Sequence, residues 1–268
     1  MIRSPLMNVM TAAAIKAGKS LKRDFAEVAA LTISRKGPGD FVSEADKRAE
    51  KILFEELSRA RPGYGFLMEE SGMVEGNDKT HRFIIDPLDG TTNFLHGIPH
   101  FAISIGLERE GELVAGLVYN PANEEMFVAE KGAGAFAAGP SQRDNYRLRA
   151  SARESLGEAV LACGIPHAGR SDPALFFREL ANVMPRCAGV RRMGSAALDL
   201  AYVAAGRFDG FWERNLSPWD IAAGIVLVRE AGGYASAMDG SKPDDAGSIL
   251  AANTALHPVL VNLLGGRS

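Results

Sequence analysis

Leu6, Met10, Ala13, Ala17, Leu21, Phe25 and Val28 recur every three to four residues, the spacing of a helix with one apolar face. The stripe runs straight past Ala12-Ala13-Ala14, where a cleaved leader would end, so it predicts a helix of the fold and not a signal peptide. Leu31 to Arg35 reads as a strand and Lys36-Gly37-Pro38-Gly39-Asp40 as a loop. Ser43 and Asp46 have the spacing of a capping box. They open a predicted helix with Ala45, Ala49, Ile52, Leu53 and Leu57 on one face, which Arg61-Pro62-Gly63 stops. The period then shortens. Tyr64–Leu67, Phe83–Ile85, Phe101–Leu107, Leu113–Tyr119 and Met126–Ala129 predict strands, with Arg109-Glu110-Gly111-Glu112 as a hairpin connection.

The polar stretch 137–151, with Gly139-Pro140 and Arg143-Asp144-Asn145, predicts a junction between a subdomain of residues 1–145 and one of residues 146–268. Beyond it, helices are predicted over Pro173–Met184, Ser195–Ala205, Pro218–Ala231 and Thr254–Leu264, alternating with short strands. Strands first and α/β alternation later imply stacked layers of helices and sheets.

Composition narrows the function. The 268 residues, 46% apolar and 24% charged, suit one or two folded domains with a sizeable core. No run approaches the roughly 18 apolar residues of a membrane-spanning helix. Thirty basic against 33 acidic residues leave a charge of −3, which argues against nucleic-acid binding as the main function. Cys163 and Cys187 lack CxxC spacing and are expected as two buried free thiols of a cytoplasmic protein.

The chemistry gathers in Ile84-Ile85-Asp86-Pro87-Leu88-Asp89-Gly90-Thr91-Thr92-Asn93-Phe94. Carboxylates at a strand end are oxygen ligands for a hard cation such as magnesium. The turn and short helix after them offer backbone N–H groups to a phosphate. An Asp-x-x-Asp alone is better explained as a turn that caps backbone groups. Asp220, third in the helix begun by Ser217-Pro218, has a local role as a cap. Glu69-Glu70-Ser71 follows another strand end, and this company favours a metal site.

These runs, with Trp219-Asp220-Ile221-Ala222-Ala223-Gly224, Gly194-Ser195-Ala196, Asp209-Gly210-Phe211-Trp212-Glu213 and Glu230-Ala231-Gly232-Gly233, closely resemble the signatures of the inositol monophosphatase family, in order and over essentially the whole chain. The resemblance implies a mixed α/β fold, the layered αβαβα sandwich of the inositol monophosphatase and fructose-1,6-bisphosphatase type. It also implies a homodimer, lithium sensitivity and a Mg²⁺-dependent phosphatase of a small polyol phosphate, inositol 1-phosphate first among them. Glu69, Asp86, Asp89, Asp220 and the carbonyl of Leu88 would hold two or three Mg²⁺. Gly90 and Thr91 would meet the phosphate, and Gly194, Ala196, Glu213 and Asp220 the polyol. Attack by metal-activated water would need no phospho-enzyme. Glu69 would hold the activating ion with Asp86, Thr91 would orient or deprotonate the water, and Asp46 would polarise Thr91. Charge alone requires the cations: four carboxylates and a phosphate dianion repel one another until three Mg²⁺ balance them.

Alternatives stay open. The same chemistry on fructose 1,6-bisphosphate, adenosine 3′,5′-bisphosphate or histidinol phosphate is one. A regulatory partner of the transcription machinery, acting through a folded surface, is another. Met68 stands where the family usually has glycine and cannot cheaply take a positive φ, so another backbone path is expected before Glu69. Arg214 beside Glu213 is expected to place a cation near the leaving group. Other signals point to local structure: His96 and His100 are separated by helix-breaking Gly97 and Pro99, Gly132-Ala133-Gly134-Ala135 reads as a strand turn, Arg191-Arg192 as a solvated pair, and Ser104 and Ser195 lack a GxSxG context.

Overall fold

The computed structural model describes residues 4–28, 33–37, 40–139, 145–166, 172–243 and 247–265. Helix α1 (Pro5–Ala26) is capped by Ser4, whose hydroxyl accepts from the Met7 amide at 3.0 Å. Strands β1 (Ile33–Gly37) and β2 (Asp40–Ser43) form an antiparallel pair before α2 (Glu44–Ala60). Ser43 Oγ accepts from the Asp46 amide at 3.2 Å, the first half of the predicted box. Of the loop expected at 36–40, residues 38 and 39 lie outside the described residues, as do residues 31 and 32 of the preceding strand.

The large sheet takes β3 (Gly65–Met68), β4 (Gly72–Val74) and β5 (His81–Asp89). After short α3 (Thr91–Leu95) come β6 (Ala102–Arg109), β7 (Glu112–Asn120), β8 (Glu125–Glu130), β9 (Gly134–Ala138) and β10 (Asn145–Arg147). Its order is β10-β9-β8-β7-β6-β5-β3-β4, antiparallel except where β3 runs along β5. The β6–β7 hairpin turns at Glu110 (φ 54°) and Gly111 (φ 77°), the left-handed pair that two-residue hairpins favour. Residues 145–147 continue this sheet through β9, across the junction expected at 145; residues 140–144 lie outside the described residues.

The rest of the chain supplies β11 (Val160–Cys163), α4 (Pro173–Val183), β12 (Gly189–Arg191), α5 (Ala196–Ala204) and β13 (Gly210–Glu213). Then follow α6 (Pro218–Glu230), β14 (Tyr234–Ser236), β15 (Ile249–Ala252) and α7 (Leu256–Leu264). The small sheet has the order β12-β11-β13-β15-β14, with β11 parallel to both neighbours. Cys163 is buried and Cys187 only half-buried, and neither is bonded.

Three apolar cores hold the layers together. Leu21, Leu53, Phe83, Ile85 and Ile105 seal α1 and α2 onto one face of the large sheet. Val118, Phe127, Leu200, Phe211 and Val226 fill the space between the sheets around α5 and α6. Trp212, Phe176, Leu250 and Leu260 close the far side of the small sheet under α4 and α7. The result is the expected αβαβα sandwich.

Helix α6 is buried at every position from Asp220 to Val228, so it needs close neighbours on all sides. Gly106 and Gly116 sit opposite each other in β6 and β7. A Cβ at Gly116 would lie 2.4 Å from the Ala223 carbonyl oxygen, and one at Gly106 would lie 2.8 Å from Ala222 Cβ. On the opposite flank a Cβ at Gly224 would come within 2.5 Å of Leu200. The Ala222-Ala223-Gly224 run is therefore a small-residue ridge that lets the helix press between sheet and α5, and it sets Asp220 beside the end of β5. Gly116→Ala should lower unfolding free energy by about 2 kcal/mol through overpacking. Gly111→Ala, in open space, should cost only the left-handed backbone term of about 1 kcal/mol. Urea denaturation of the two variants tests that order.

Candidate metal and phosphate site

On a regular strand, residues three apart face opposite sides of the sheet. Asp86 pairs with Ser104 and Asp89 with Ala102, with an irregularity between them. This bulge carries both acids to one side. The Leu88 amide donates to Asp86 Oδ1 at 2.8 Å and shapes the bulge. Asp86, Asp89 and Asp220 each offer an oxygen within 4.8 Å of the others.

Asp220 also does the local job expected of it: the Ser217 amide donates to its Oδ2 at 2.7 Å. Ser104, with no role in a serine hydrolase, donates to the Trp219 carbonyl at 3.1 Å and fastens the first turn of α6 to β6.

A second group joins Asp46, Glu69 and Glu70, again within 4.8 Å. The Glu69 amide donates to the Ile85 carbonyl at 3.2 Å, so Glu69 follows β3 as Asp86 follows Ile85 in β5. Met68 ends β3 as a buried core residue, and the left-handed residue of the turn is Gly72, at φ 72°; Met68 needs no positive φ. Buried Glu50 shapes the loop. Its carboxylate accepts from the Glu70 amide at 2.8 Å and the Ser71 hydroxyl at 2.5 Å. The sequence reading missed Glu50, although an acid among Ala49 and Leu53 on the apolar side of α2 was a signal.

Ser195 is the other omission. It caps α5 through the Leu198 amide at 3.3 Å and donates to Asp89 Oδ2 at 2.5 Å; the Ala197 amide joins the same oxygen at 2.8 Å. Beside Asp89, Gly90 adopts φ 92°, and a Cβ there would lie 3.1 Å from the His100 carbonyl and 3.2 Å from that of Gly194. Thr91 Oγ1 donates to the Leu88 carbonyl at 3.0 Å. Asn93 donates to the His100 and Met193 carbonyls, both at 2.8 Å, locking the Gly194 turn and the start of α5 against the Gly90 loop.

Glu213 ends β13 with its carboxyl group over Gly164, where a Cβ would come within 1.8 Å of Glu213 Cδ. Arg214 does not serve as the expected cation beside it: its Nε donates to the buried Glu179 of α4 at 2.7 Å. His96 ends α3 and His100 is buried with its ring against Tyr202; neither belongs to the acidic groups.

The electrostatics follow from this crowding. Burial, then Glu69, Asp89, Asp220 and Asp46, push the Asp86 carboxyl well above its usual range. Burial raises Asp89 to about 6, against the opposing bonds from Ser195 and Ala197. Like charges in a low dielectric resist joint ionisation, and a divalent cation removes that penalty. The donors are all oxygen, the preference of a hard ion and not of a soft one.

A family model described as the inositol monophosphatase family matches residues 2–265. The inositol-1-monophosphatase of Mesorhizobium japonicum is 60% identical over 262 residues, 97% of this chain and 96% of that protein. The Nus factor SuhB of Escherichia coli K12 is 43% identical over 236 residues, 88% of this chain and 86% of that one. The crystal structure of the extragenic suppressor protein SuhB from Bartonella henselae matches with a TM-score of 0.93 at 54% identity, over 99% of this chain and 100% of that chain.

Without cations, the raised Asp89 group favours folding at low pH. Its contribution is fully present below the ordinary value of 3.8 and is lost as pH rises through about 6. Thermal melts in chelator should therefore show stability falling across that window, and millimolar Mg²⁺ at pH 7 should restore it; melts indifferent to both would contradict this account. Ser195→Ala should weaken divalent-cation affinity about tenfold, as loss of a bond to a ligating group does, and Ser195→Thr should retain it in calorimetric titration.

Proposed function

The chain belongs to the inositol monophosphatase family, and we propose that it hydrolyses inositol 1-phosphate with Mg²⁺ held by Glu69, Asp86, Asp89, Asp220 and the Leu88 carbonyl. It is a phosphoric monoester hydrolase. The observation that carries the reading is the meeting of Asp86 and Asp89 with Asp220, from a strand and a helix far apart in sequence, within 4.8 Å beside the Gly90 turn. Two or three Mg²⁺ held there would supply positive charge for the incoming phosphate and lower the pKa of water.

The chain's own groups divide the remaining work. Gly90, without a Cβ, leaves backbone N–H groups open to phosphate oxygens. Thr91 has its proton committed to Leu88 at 3.0 Å, so its lone pairs can accept from the attacking water and orient it. The Leu88 carbonyl has a second lone pair for a cation. Asp46, which the fold groups with Glu69 and Glu70, would draw on the Thr91 hydroxyl only in place of the Leu88 carbonyl, since that hydroxyl has one proton to donate. Glu69 works with Asp86 on the water side. Gly194, Ala196 and Asp220 line the polyol side, where the Glu213 carboxylate accepts from a ring hydroxyl. Holding phosphate, water and leaving oxygen in line removes much of the entropic barrier.

The proposal extends to a homodimer, lithium inhibition and a cytoplasmic location; no helix among the described residues is long and apolar enough to cross a membrane. A second reading has one specific support. The 43% identical relative from Escherichia coli is named a Nus factor, and that name supports a partner in the transcription machinery.

A phosphate-release panel tests the first reading. Inositol 1-phosphate should give the highest kcat/KM against fructose 1,6-bisphosphate, adenosine 3′,5′-bisphosphate and histidinol phosphate, with activity lost in chelator and restored by Mg²⁺. Asp89→Asn should lower kcat by about three orders of magnitude, the scale of transition-state charge stabilisation by metals. Full activity in that variant would sink the assignment.

A further inference from the structure

Glu69, Glu70 and Ser71 form the tip of a hairpin: Met68 pairs with Gly72, and Gly72 closes the turn at φ 72°, the left-handed glycine common in three-residue loops. Strand β4 is only three residues long and lies at the edge of the large sheet, bonded to β3 alone. A short edge arm has few bonds to lose and opens at low cost. A loop there that must present a metal ligand in one direction needs a tether from outside the sheet.

Glu50 supplies one. It is 3% exposed on the apolar face of α2, among Ala49 and Leu53, where an acid costs stability unless its oxygens are bonded. Both oxygens are bonded. Oε2 accepts from the Glu70 amide at 2.8 Å and Oε1 from the Ser71 hydroxyl at 2.5 Å, the two residues directly after Glu69. The Glu69 amide itself donates to the Ile85 carbonyl at 3.2 Å, next to Asp86 in β5. Glu69 is thus fixed on one side by β5 and on the other by α2. Asp46 lies one turn before Glu50 on the same helix and gathers with Glu69 and Glu70 within 4.8 Å. An open groove of about 460 Å³ borders Glu50, Phe54, Glu70, Ser71 and Val74, so hydrogen bonds more than packing seat the loop on this side.

We propose that Glu50 is a positioning residue for the cation site, clamping Glu70 and Ser71 to α2 so that Glu69 is held ready for an ion it shares with Asp86. The inference rests on the reading of Glu69 as a Mg²⁺ ligand. A ligand fixed before the ion arrives loses less freedom on binding, and groups that orient a ligand from behind set much of a site's affinity. The role needs hydrogen-bond geometry and not charge. In Glu50→Gln the amide oxygen can accept from the Glu70 amide while the NH₂ group donates to Ser71 Oγ.

Calorimetric Mg²⁺ titration and thermal melts in chelator, on Glu50→Ala, Glu50→Gln, Ser71→Ala and Glu69→Ala, test it without an activity assay. Glu50→Ala should weaken Mg²⁺ affinity about tenfold, the scale of losing a bond behind a ligand. It should also shrink the rise in melting temperature that Mg²⁺ brings. Ser71→Ala alters an exposed residue and gives up one of the two bonds, so it should weaken affinity about threefold, and it carries the test if Glu50→Ala does not fold. Glu50→Gln should bind as the parent does. The proposal is overturned if Glu69→Ala weakens binding while Glu50→Ala does not, if Glu50→Gln fails to restore it, or if Ser71→Ala binds as tightly as the parent. A purely structural role overturns it too: Glu50→Ala would then melt earlier in chelator yet keep the parent Mg²⁺ affinity. Unchanged affinity in Glu69→Ala would remove the reading of Glu69 as a ligand, and this inference with it.

Discussion

Several carboxylates cannot share a poorly hydrated pocket unless something offsets their repulsion. Two unit charges at the 4.8 Å limit of the Asp86, Asp89 and Asp220 group repel by about 3.5 kcal/mol at an effective dielectric of 20. The fold answers with fixed donors. Asp86 receives the Leu88 amide, Asp89 the Ser195 hydroxyl and Ala197 amide, and Asp220 the Ser217 amide. Each acid thus has an oxygen tied to a donor of fixed direction, which lowers the cost of ionisation and orients the group. What the donors leave uncompensated is the demand that a divalent cation meets.

That constraint explains why the site lies where the two halves of the chain dock. Asp86 and Asp89 come from the large sheet, whereas Asp220 and the start of α5 come from the later half. Gly106 and Gly116 allow α6 to lie against the sheet, and Asn93 reaches across to the Met193 carbonyl. The sandwich must be complete before the acids converge. Packing at Gly116 and the placement of the Asp220 carboxylate are therefore linked through one rigid helix.

The sequence made some of this legible and hid the rest for a physical reason. The helices of the first and last thirds show their period, and the Arg109–Glu112 turn shows its chemistry, because both signals are local. The Asp86–Asp89 pair was readable as a strand end, but the bulge that turns both acids to one side was not. Ser195 reaches Asp89 across 106 positions, Arg214 reaches Glu179 across 35, and Glu50 reaches Ser71 across 21. No local pattern announces such contacts. Glu50 did leave a trace, an acid in an otherwise apolar stripe, and that trace identifies a constraint without naming the partner.

The Arg214–Glu179 pair also bears on substrate choice. Read from sequence, Arg214 beside Glu213 is expected to place a cation near the leaving group. The structure sequesters it against a buried carboxylate of α4, and taking it away would leave Glu179 buried without its partner, a costly change. On the proposed reading, the polyol side then presents Glu213 and the exposed Arg192, whose field water and salt screen. An acceptor-rich wall favours a ligand that donates hydroxyl hydrogens and penalises one that brings a second phosphate. On the proposed reading, the same acids that make a divalent cation necessary on one side of the pocket select a neutral polyol on the other.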